Sequence, residues 1–364
     1  MFASGNHQKL KFRYGFRRRL VPALLLLVDV SLFSALPVQA DSDVDSEGER
    51  TPVQWLAMMT KALHEENYTG VYNYIRGRQR FDTVRITHLM QGGVEKEKLF
   101  YLNGHAREVV REGEKVVCYH RAGDSDSLDH ELTLLGPSRL FNGDLAQYRS
   151  LYEFSLHGSS RIADRKAVHL AVLPTDKDRY GYRLWLDEET GLLLQSHLVY
   201  RGRVLEVFQF ADVQIGDFAE ADYQDSSVDR TIAHLSHVIA DPNAVTEQVA
   251  GGEGDVQQRP SSGWKPKWLP PGFRQVSRLK PEAPVVFSDG ITSLTVFVEK
   301  PKGGPKAEFS TYSGGTVVFS RERQWGSSTQ RITIVGKVPL ETARRVAESI
   351  EPVPLEKRAS PEIK

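Results

Sequence analysis

Apolar and polar residues alternate along most of this chain with the period of a β-strand. The stretch DRYGYRLWLD, residues 178–187, shows the pattern clearly, with tyrosines and leucines at even positions and Arg179 and Arg183 at odd positions. Successive side chains of a strand point to opposite faces of its sheet. The stretch is therefore predicted to be a strand with one apolar face and with its arginines directed outward.

The same period predicts ten strands between residues 69 and 213. They are Thr69–Arg76, Phe81–Leu89, Glu97–Leu102, Ala106–Arg111, Lys115–His120, Leu151–His157, Ala167–Leu173, Arg179–Asp187, Leu192–Tyr200 and Val204–Val213. Glycine-containing turns such as Asn103-Gly104 and Thr190-Gly191 separate most of them. We expect an antiparallel meander that curls to protect its edges, with residues 120–150 forming an irregular or helical insertion over one mouth.

One helix precedes these strands. Thr51 and Gln54 form a capping-box pattern, with Pro52 at the first helical position and Asn67 at the predicted end. Its apolar face carries Trp55, Met58, Met59 and Ala62. These side chains fit a packed core, and the two methionines also fit a flexible wall beside a ligand.

Composition divides the chain further. Residues 218–263 are rich in Asp, Gln, Ser and Gly and are typical of a linker. A smaller unit over 264–351 is predicted to hold strands and a last helix, followed by a disordered tail at 352–364. The strands are Phe273–Leu279, Val285–Phe287, Ile291–Glu299, Thr316–Arg323 and Gln330–Val335, and the helix places Leu340, Ala343, Val346, Ala347 and Ile350 on one face.

The first forty residues are predicted to be a cleaved signal peptide, which leaves a first domain at 41–217. A basic segment ending in FRRRL precedes an apolar run and the small-residue site PVQA. An uncleaved anchor is disfavoured because Asp29 lies within the apolar run. Export with a single cysteine, Cys118, which we expect to be a buried thiol, favours a bacterial periplasm.

Charge and motifs exclude several classes of function. The whole chain has 47 basic and 47 acidic residues, and the part after residue 40 has 41 and 46, so we expect no nucleic-acid partner. No nucleophile elbow, Walker loop or zinc-binding motif occurs, and HLSH at 234–237 has too few ligands for a metal site. We therefore predict no catalytic residues, no metal and no cofactor, and we interpret the scattered carboxylates as solvated surface charges.

The apolar strand faces are the stronger functional signal. Nine of their residues are candidate ligand contacts in an apolar groove: Tyr72, Tyr74, Val84, Ile86, Tyr182, Leu184, Leu186, Leu192 and Leu194. The same rows fit an ordinary sheet-on-helix core. A groove is favoured because one helix is little cover for ten strands, and apolar ligands bind in such concavities.

Several stretches together resemble the MucB/RseB family, periplasmic regulators of envelope-stress sigma factors. They are WLAMMTKALHEENYTGVYNY, VRITH, EKEKLFYLNGHAREVVREGEKVVCY, RYGYRLWLDEETGLLLQS, VLEVFQF, WKPKWLPPGF and GKVPLETARRVAESI. They follow one another in the family's order over nearly the whole chain after residue 40.

The resemblance implies an α+β fold: a LolA-like, half-open antiparallel β-barrel with covering helices, and a smaller C-terminal antiparallel α+β domain. It also implies a regulator that binds the periplasmic domain of a membrane-spanning, MucA/RseA-like anti-sigma factor. Such a regulator shields its partner from proteolysis and releases it on sensing a lipid or lipopolysaccharide.

Two other functions compete with this interpretation. The barrel alone fits a periplasmic lipid or lipoprotein carrier, although a carrier does not require the C-terminal domain. A secreted enzyme is disfavoured because no catalytic constellation occurs. The sequence gives neither the partner-contact residues nor the lipid, and it leaves open which strand face lines the groove and whether the chain forms a homo-oligomer.

Overall fold

The structure is a computed structural model. It describes residues 50–77, 80–104, 107–113, 115–120, 150–216, 218, 263–277, 284–301 and 308–353. The predicted signal peptide, the insertion at 121–149, the HLSH segment, most of the predicted linker and the tail after 353 lie outside the described residues, as does the side chain of Cys118. The predicted domain boundaries therefore stay predictions.

The first helix, α1, spans Pro52–Glu65 and begins with the predicted capping box. Thr51 Oγ1 accepts a hydrogen bond from the backbone N–H of Gln54 (3.3 Å), and Gln54 Oε1 accepts one from the Thr51 N–H (2.7 Å). The helix ends two residues before the predicted Asn67, because Glu66 already has the extended backbone that leads into the first strand. The apolar face of α1 buries Trp55, Leu56, Met59, Ala62 and Leu63.

The ten predicted strands form one antiparallel sheet, here called the N-terminal sheet. They are β1 (Tyr68–Arg76), β2 (Arg80–Gln91), β3 (Val94–Tyr101), β4 (Arg107–Glu112), β5 (Lys115–His120), β6 (Tyr152–Ile162), β7 (Arg165–Pro174), β8 (Gly181–Asp187), β9 (Leu193–Tyr200) and β10 (Arg203–Ile215). Their order in the sheet is β5-β4-β3-β2-β1-β10-β9-β8-β7-β6.

This order corrects the expected single meander. Two five-strand meanders are joined through β1 and β10, so the first and last strands pair and β5 and β6 form the edges. Aromatic pairs across β1 and β10 favour this pairing: the ring of Tyr72 lies 4.9 Å from that of Phe208 and 6.0 Å from that of Phe210. The long segment between β5 and β6 removes the tight turn that would have made them neighbours.

The N-terminal sheet curls around α1. The helix contacts β2 of the first meander and β6 and β9 of the second. Apolar side chains from both meanders and from α1 form a single buried cluster, which includes Val84, Leu99, Leu170 and Leu184. Leaving aside residues 121–149, which the structure does not describe, the sheet is open at its edges β5 and β6, so this part of the chain is a half-open barrel closed over one helix.

A second, smaller sheet follows, here called the C-terminal sheet. Its strands are β12 (Arg274–Ser277), β13 (Val285–Ser288), β14 (Ser293–Glu299), β15 (Phe309–Ser313), β16 (Thr316–Trp325) and β17 (Ser328–Gly336), in the order β12-β13-β14-β17-β16-β15. Helix α2 (Leu340–Ser349) packs on β16 and β17 and buries Ala343, Val346 and Ala347. Two short strands, β11 (Trp264–Pro266) and β18 (Ile350–Pro352), pair beside them.

Three strands were not predicted, and two begin two residues later than predicted, β8 at Gly181 and β14 at Ser293. Strands β11 and β18 have three residues each, and β15 has the sequence FSTYS with four of its five side chains exposed, so none of them shows an apolar alternation. Ile350, predicted on the last helix, begins β18 instead. Strand β8 begins at Gly181 rather than at Arg179 because Arg179 takes part in a contact with the C-terminal sheet. Among the described residues, no helix is both long and apolar enough to cross a membrane.

Candidate binding site

The structure brings the nine predicted groove residues to one face of the N-terminal sheet. Eight of them are buried in the cluster around α1, and Tyr74 is partly buried against it. Leu184, Leu186, Leu192 and Leu194 have no exposed surface. The face is therefore concave, apolar and packed against α1, as in the sheet-on-helix core that the sequence also allows, and ligand binding there stays a prediction.

Helix α1 makes close contact with the turn after β8. A Cβ atom at Gly191, whose φ is +81°, would lie 2.5 Å from Cγ of Met58, so this turn needs glycine both for its backbone and for its contact with α1. Met59 is fully buried, whereas Met58 is half-buried against the cluster. The methionine stripe thus contributes to the packing of α1 on the sheet.

A polar cluster holds the C-terminal end of α1. Glu95 on β3 accepts hydrogen bonds from His64 (3.4 Å), His88 (3.1 Å) and Arg111 (2.7 Å). The other ring nitrogen of His88 lies 2.8 Å from the carbonyl oxygen of Glu66, just after α1. Since the carboxylate and the carbonyl are both acceptors, both nitrogens of His88 donate when the two bonds form together. Burial alone would raise the pKa of Glu95, but its three donors hold that pKa well below the usual range.

A second cluster joins the two sheets through a buried arginine. Arg179, which has no exposed surface, pairs with Asp289 in the β13–β14 turn and donates to the carbonyl oxygen of Pro271 (2.6 Å). Tyr152 Oη donates to Asp289 Oδ2 (2.8 Å), and Asp176 accepts from Arg179 Nε (3.1 Å). The prediction that Arg179 faces outward is therefore wrong: the chain before β8 turns this side chain into the contact with the C-terminal sheet.

Two carboxylates between the sheets, Asp289 in this cluster and Glu206 on β10, also correct the prediction that the carboxylates are solvated surface charges. Asp289 is 1% exposed and Glu206 is 4% exposed, so neither is a solvated surface charge. Each has its charge matched at close range, which is the condition under which a carboxylate can be buried.

A third cluster centres on Glu206 of β10. Lys337, just after β17, donates to Glu206 Oε2 (2.7 Å), and the backbone N–H of Gly315 donates to Glu206 Oε1 (2.9 Å). Tyr74 Oη donates to the same carboxylate. Burial would raise the pKa of Glu206, but Lys337 and these hydrogen bonds lower it below its ordinary value. The pKa of Lys337 is raised in turn, because the charge of Glu206 outweighs the effect of its burial.

Neutral contacts complete this junction, as we call the region where the two sheets meet. Tyr180 Oη donates to the carbonyl oxygen of Val338 (2.9 Å), and Thr342 Oγ1 donates to that of Asp178 (3.0 Å). A Cβ atom at Gly315 would lie 2.1 Å from Cδ2 of Leu198, so any larger residue in the β15–β16 turn would require the Leu198 side chain of β9 to move. The start of DRYGYRLWLD thus serves the junction, and its end serves the barrel.

Sequence reasoning missed the junction, although one signal was present. In VLEVFQF the side chains of Phe208 and Phe210 lie in the core, and Glu206 continues their row at period two. A charge in an apolar row is expected to have a buried partner. Nothing in the local sequence identifies that partner as Lys337, which is 131 residues away.

Two family models match the chain. The model of the MucB/RseB N-terminal domain matches residues 51–232, and that of the MucB/RseB C-terminal domain matches residues 258–351. The chain is 34% identical over 340 residues to the sigma factor AlgU regulatory protein MucB of Pseudomonas aeruginosa, covering 91% of this chain and 97% of that protein. It is 27% identical over 306 residues to the sigma-E factor regulatory protein RseB of Salmonella typhimurium, covering 81% and 89%.

Solved structures agree with these matches. A crystal structure of MucB in complex with MucA(peri) superposes with a TM-score of 0.64 at 32% identity, covering 84% of this chain and 100% of that one. A crystal structure of MucB gives a TM-score of 0.61 at the same identity, covering 84% and 99%. The chain belongs to the MucB/RseB family, whose named relatives are sigma-factor regulatory proteins. The predicted fold class, a half-open antiparallel barrel with a smaller C-terminal α+β unit, is confirmed.

Proposed function

We propose that this protein is a periplasmic regulator that binds the periplasmic domain of a membrane-spanning, MucA-like anti-sigma factor. The observation that carries the proposal is the likeness to MucB, a relative solved in complex with MucA(peri), over 84% of this chain. Both sheets of this chain lie within the matched families' N- and C-terminal domains. A periplasmic location follows from such a partner and agrees with the predicted signal peptide.

Shielding from proteolysis is the first finer part of the proposal. A protease binds its substrate as an extended chain, so a partner segment held on this protein is withdrawn from cleavage. The buried charges of the junction support this role, because they fix the two sheets relative to one another before the partner arrives. A binding surface that is already ordered costs less free energy to use.

Release by a lipid is the second finer part. We propose that the acyl chains contact the nine apolar residues of the concave face. Because α1 packs on that face, a lipid reaches it only if α1 moves away, and the apolar surfaces of Leu56 and Met59 then lose their cover. A lipid that binds this rearranged state more tightly than the closed state shifts the population toward it.

Reciprocal binding measurements test the regulator. The affinity of the anti-sigma periplasmic domain from the same organism is measured with and without saturating lipopolysaccharide, and the affinity of lipopolysaccharide is measured with and without that domain. Linkage requires the two ratios to be equal, and we expect each ligand to weaken the other. If neither ligand changes the affinity for the other, the protein binds its partner but does not sense lipid. Transfer of lipid between vesicles, with no binding of the anti-sigma domain, would favour the carrier.

Trp55 offers a direct readout of α1. It is 5% exposed on the buried face of the helix, so displacement of α1 would move its emission to longer wavelength. The change is obtained as the difference between the wild-type chain and Trp55→Phe, which removes the other tryptophans from the signal. Lipid binding without any such difference would contradict displacement of α1.

A further inference from the structure

Exposed apolar side chains are concentrated beside the junction. Eight large ones are exposed among the described residues, and six lie on β15 or at the neighbouring ends of β10, β1, β2 and β3: Ile75, Phe81, Leu102, Val204, Phe309 and Tyr312. The other two are Val94, at the far end of the β2–β3 pair, and Leu173, at the end of β7 that leads into the Arg179 contact. Single exposed apolar residues are ordinary, whereas a concentration of them marks an interaction site.

On the N-terminal sheet, three of these residues share the outer face. Ile75 and Phe81 are directly opposite each other in the β1–β2 pair. Leu102 follows the core residue Tyr101, and its N–H donates to the Thr83 carbonyl (2.8 Å), two residues from Phe81. Because core and outer residues alternate along a strand, all three point away from α1.

On the C-terminal sheet, the exposed residues lie on the edge strand β15. Within the part of the chain that the structure describes, β16 is the one strand that pairs with it, and four of its five residues are exposed, with Tyr312 at 72%. Strand β15 leads into the Gly314–Gly315 turn that binds Glu206, and Gly77 at the end of β1 approaches this turn, since a Cβ atom there would lie 3.8 Å from the Gly314 nitrogen. The edge and the outer-face residues are therefore adjacent parts of one surface.

Strand β15 lacks the features that keep edge strands unpaired. Its sequence, FSTYS, has no charge and no proline, and none of its residues forms part of a bulge in the register with β16. The ring of Tyr312 lies on the face of Val317, and that of Phe309 lies on the opposite face with Ser320, so an added strand would meet an aromatic ring on each side.

We propose that an extended polypeptide segment with apolar side chains pairs with β15 and packs on Phe81 and Ile75. A free strand edge presents backbone N–H and C=O groups, which another extended backbone matches better than an acyl chain does. The inference rests on the proposed function, in that the segment belongs to the anti-sigma periplasmic domain. The ion pair between the buried Glu206 and the partly buried Lys337 holds the two halves of this surface in place.

Substitutions on both halves test the surface with the full chain. Phe81→Ser and Tyr312→Ser are each expected to weaken binding of the anti-sigma periplasmic domain about tenfold, the size of effect for a well-placed aromatic contact. Val94→Ser and Leu173→Ser remove exposed apolar side chains that lie outside this surface and should change the affinity less than about twofold. Unfolding of all four variants is measured first, since the exposed positions should leave stability nearly unchanged.

Amide hydrogen exchange tests the strand pairing itself. Those backbone amides of residues 309–313 that do not bond to β16 should become protected in the complex, while those around Val94 should not. Wild-type binding with unprotected β15 amides, and with Phe81→Ser and Tyr312→Ser binding as wild type, would overturn this surface and leave the proposed function standing. No binding by the wild-type chain would instead overturn the proposed function. A dimer of the free protein that Tyr312→Ser abolishes would assign the edge to a second copy and also overturn the inference.

Discussion

Two parts of this chain cover the N-terminal sheet, and they do so with different chemistry. Helix α1 covers the concave face with apolar side chains such as Leu56 and Met59, which are fully buried. The C-terminal sheet meets the same sheet through two ion pairs, the buried Arg179–Asp289 and the partly buried Lys337–Glu206. One cover is held by area removed from water, and the other combines charges at fixed positions with neutral hydrogen bonds and apolar contacts such as that of Ile291.

The difference bears on what each cover can do. Apolar burial has no direction, so another apolar group can replace α1 at a similar gain in free energy. Paired charges demand specific geometry, and a buried charge left without its partner is costly. We therefore interpret α1 as the replaceable cover and the C-terminal sheet as the fixed one.

Removing one junction charge should have the largest effect. Asp289→Ala leaves Arg179 buried without its interdomain partner, and we expect the free energy of unfolding to fall by about 3–5 kcal/mol in urea. The matched control is Glu65→Ala, which removes the exposed Lys61–Glu65 pair and should cost less than about 1 kcal/mol. Equal losses in the two variants would mean that charge does not hold the C-terminal sheet.

Truncating the apolar cover should have the next largest effect. Leu56→Ala on α1 creates a cavity in the cluster, and the expected loss is about 2–5 kcal/mol in the free energy of unfolding. Leu173→Ala, at a side chain that is 38% exposed, should stay within about 0.5 kcal/mol of wild type. A loss for Leu56→Ala as small as that of the control would mean that α1 already leaves the sheet in the free protein.

Much of the fold could be predicted because its signals are local. The capping box of α1 and the period-two rows of the ten strands depend on residues close together in sequence, and the structure reproduces them within a few residues except along β6. The pairing of β1 with β10 depends on rings such as Tyr72 and Phe208 that lie 136 positions apart, so no local pattern indicates it.

The junction shows the same limit more sharply. Arg179 fits the period of the strand in the sequence, but the strand begins only at Gly181, so the period does not set the direction of the Arg179 side chain. Its position is set by Asp289 and by the Pro271 carbonyl, both in the C-terminal part of the chain. What sequence could have shown is that Glu206 and Glu97 continue apolar rows. Both are buried, at 4% and 2% exposure, and a charged residue in such a row predicts a buried partner without naming it.

The smallest effect we predict is a loss of stability in acid, which distinguishes the polar cluster at the C-terminal end of α1 from the apolar face of the helix. The pKa of Glu95 is lower in the folded protein than in the unfolded chain, so its contribution to stability is present above the unfolded value and is lost as the pH falls toward the folded value. Wild-type stability should therefore decline below about pH 5, where an unfolded glutamate begins to bind protons. Glu95→Gln should be less stable at pH 7 and should show a shallower decline, whereas Glu189→Gln, at a side chain that is 84% exposed, should keep the wild-type slope. Urea unfolding over a series of pH values measures all three slopes.

Since His64 and His88 link Glu95 to the last turn of α1 and to the residue just after it, Trp55 emission recorded in the same series reports whether the helix loosens with the cluster. Identical slopes for wild type and Glu95→Gln would mean that the apolar face alone holds α1 in place.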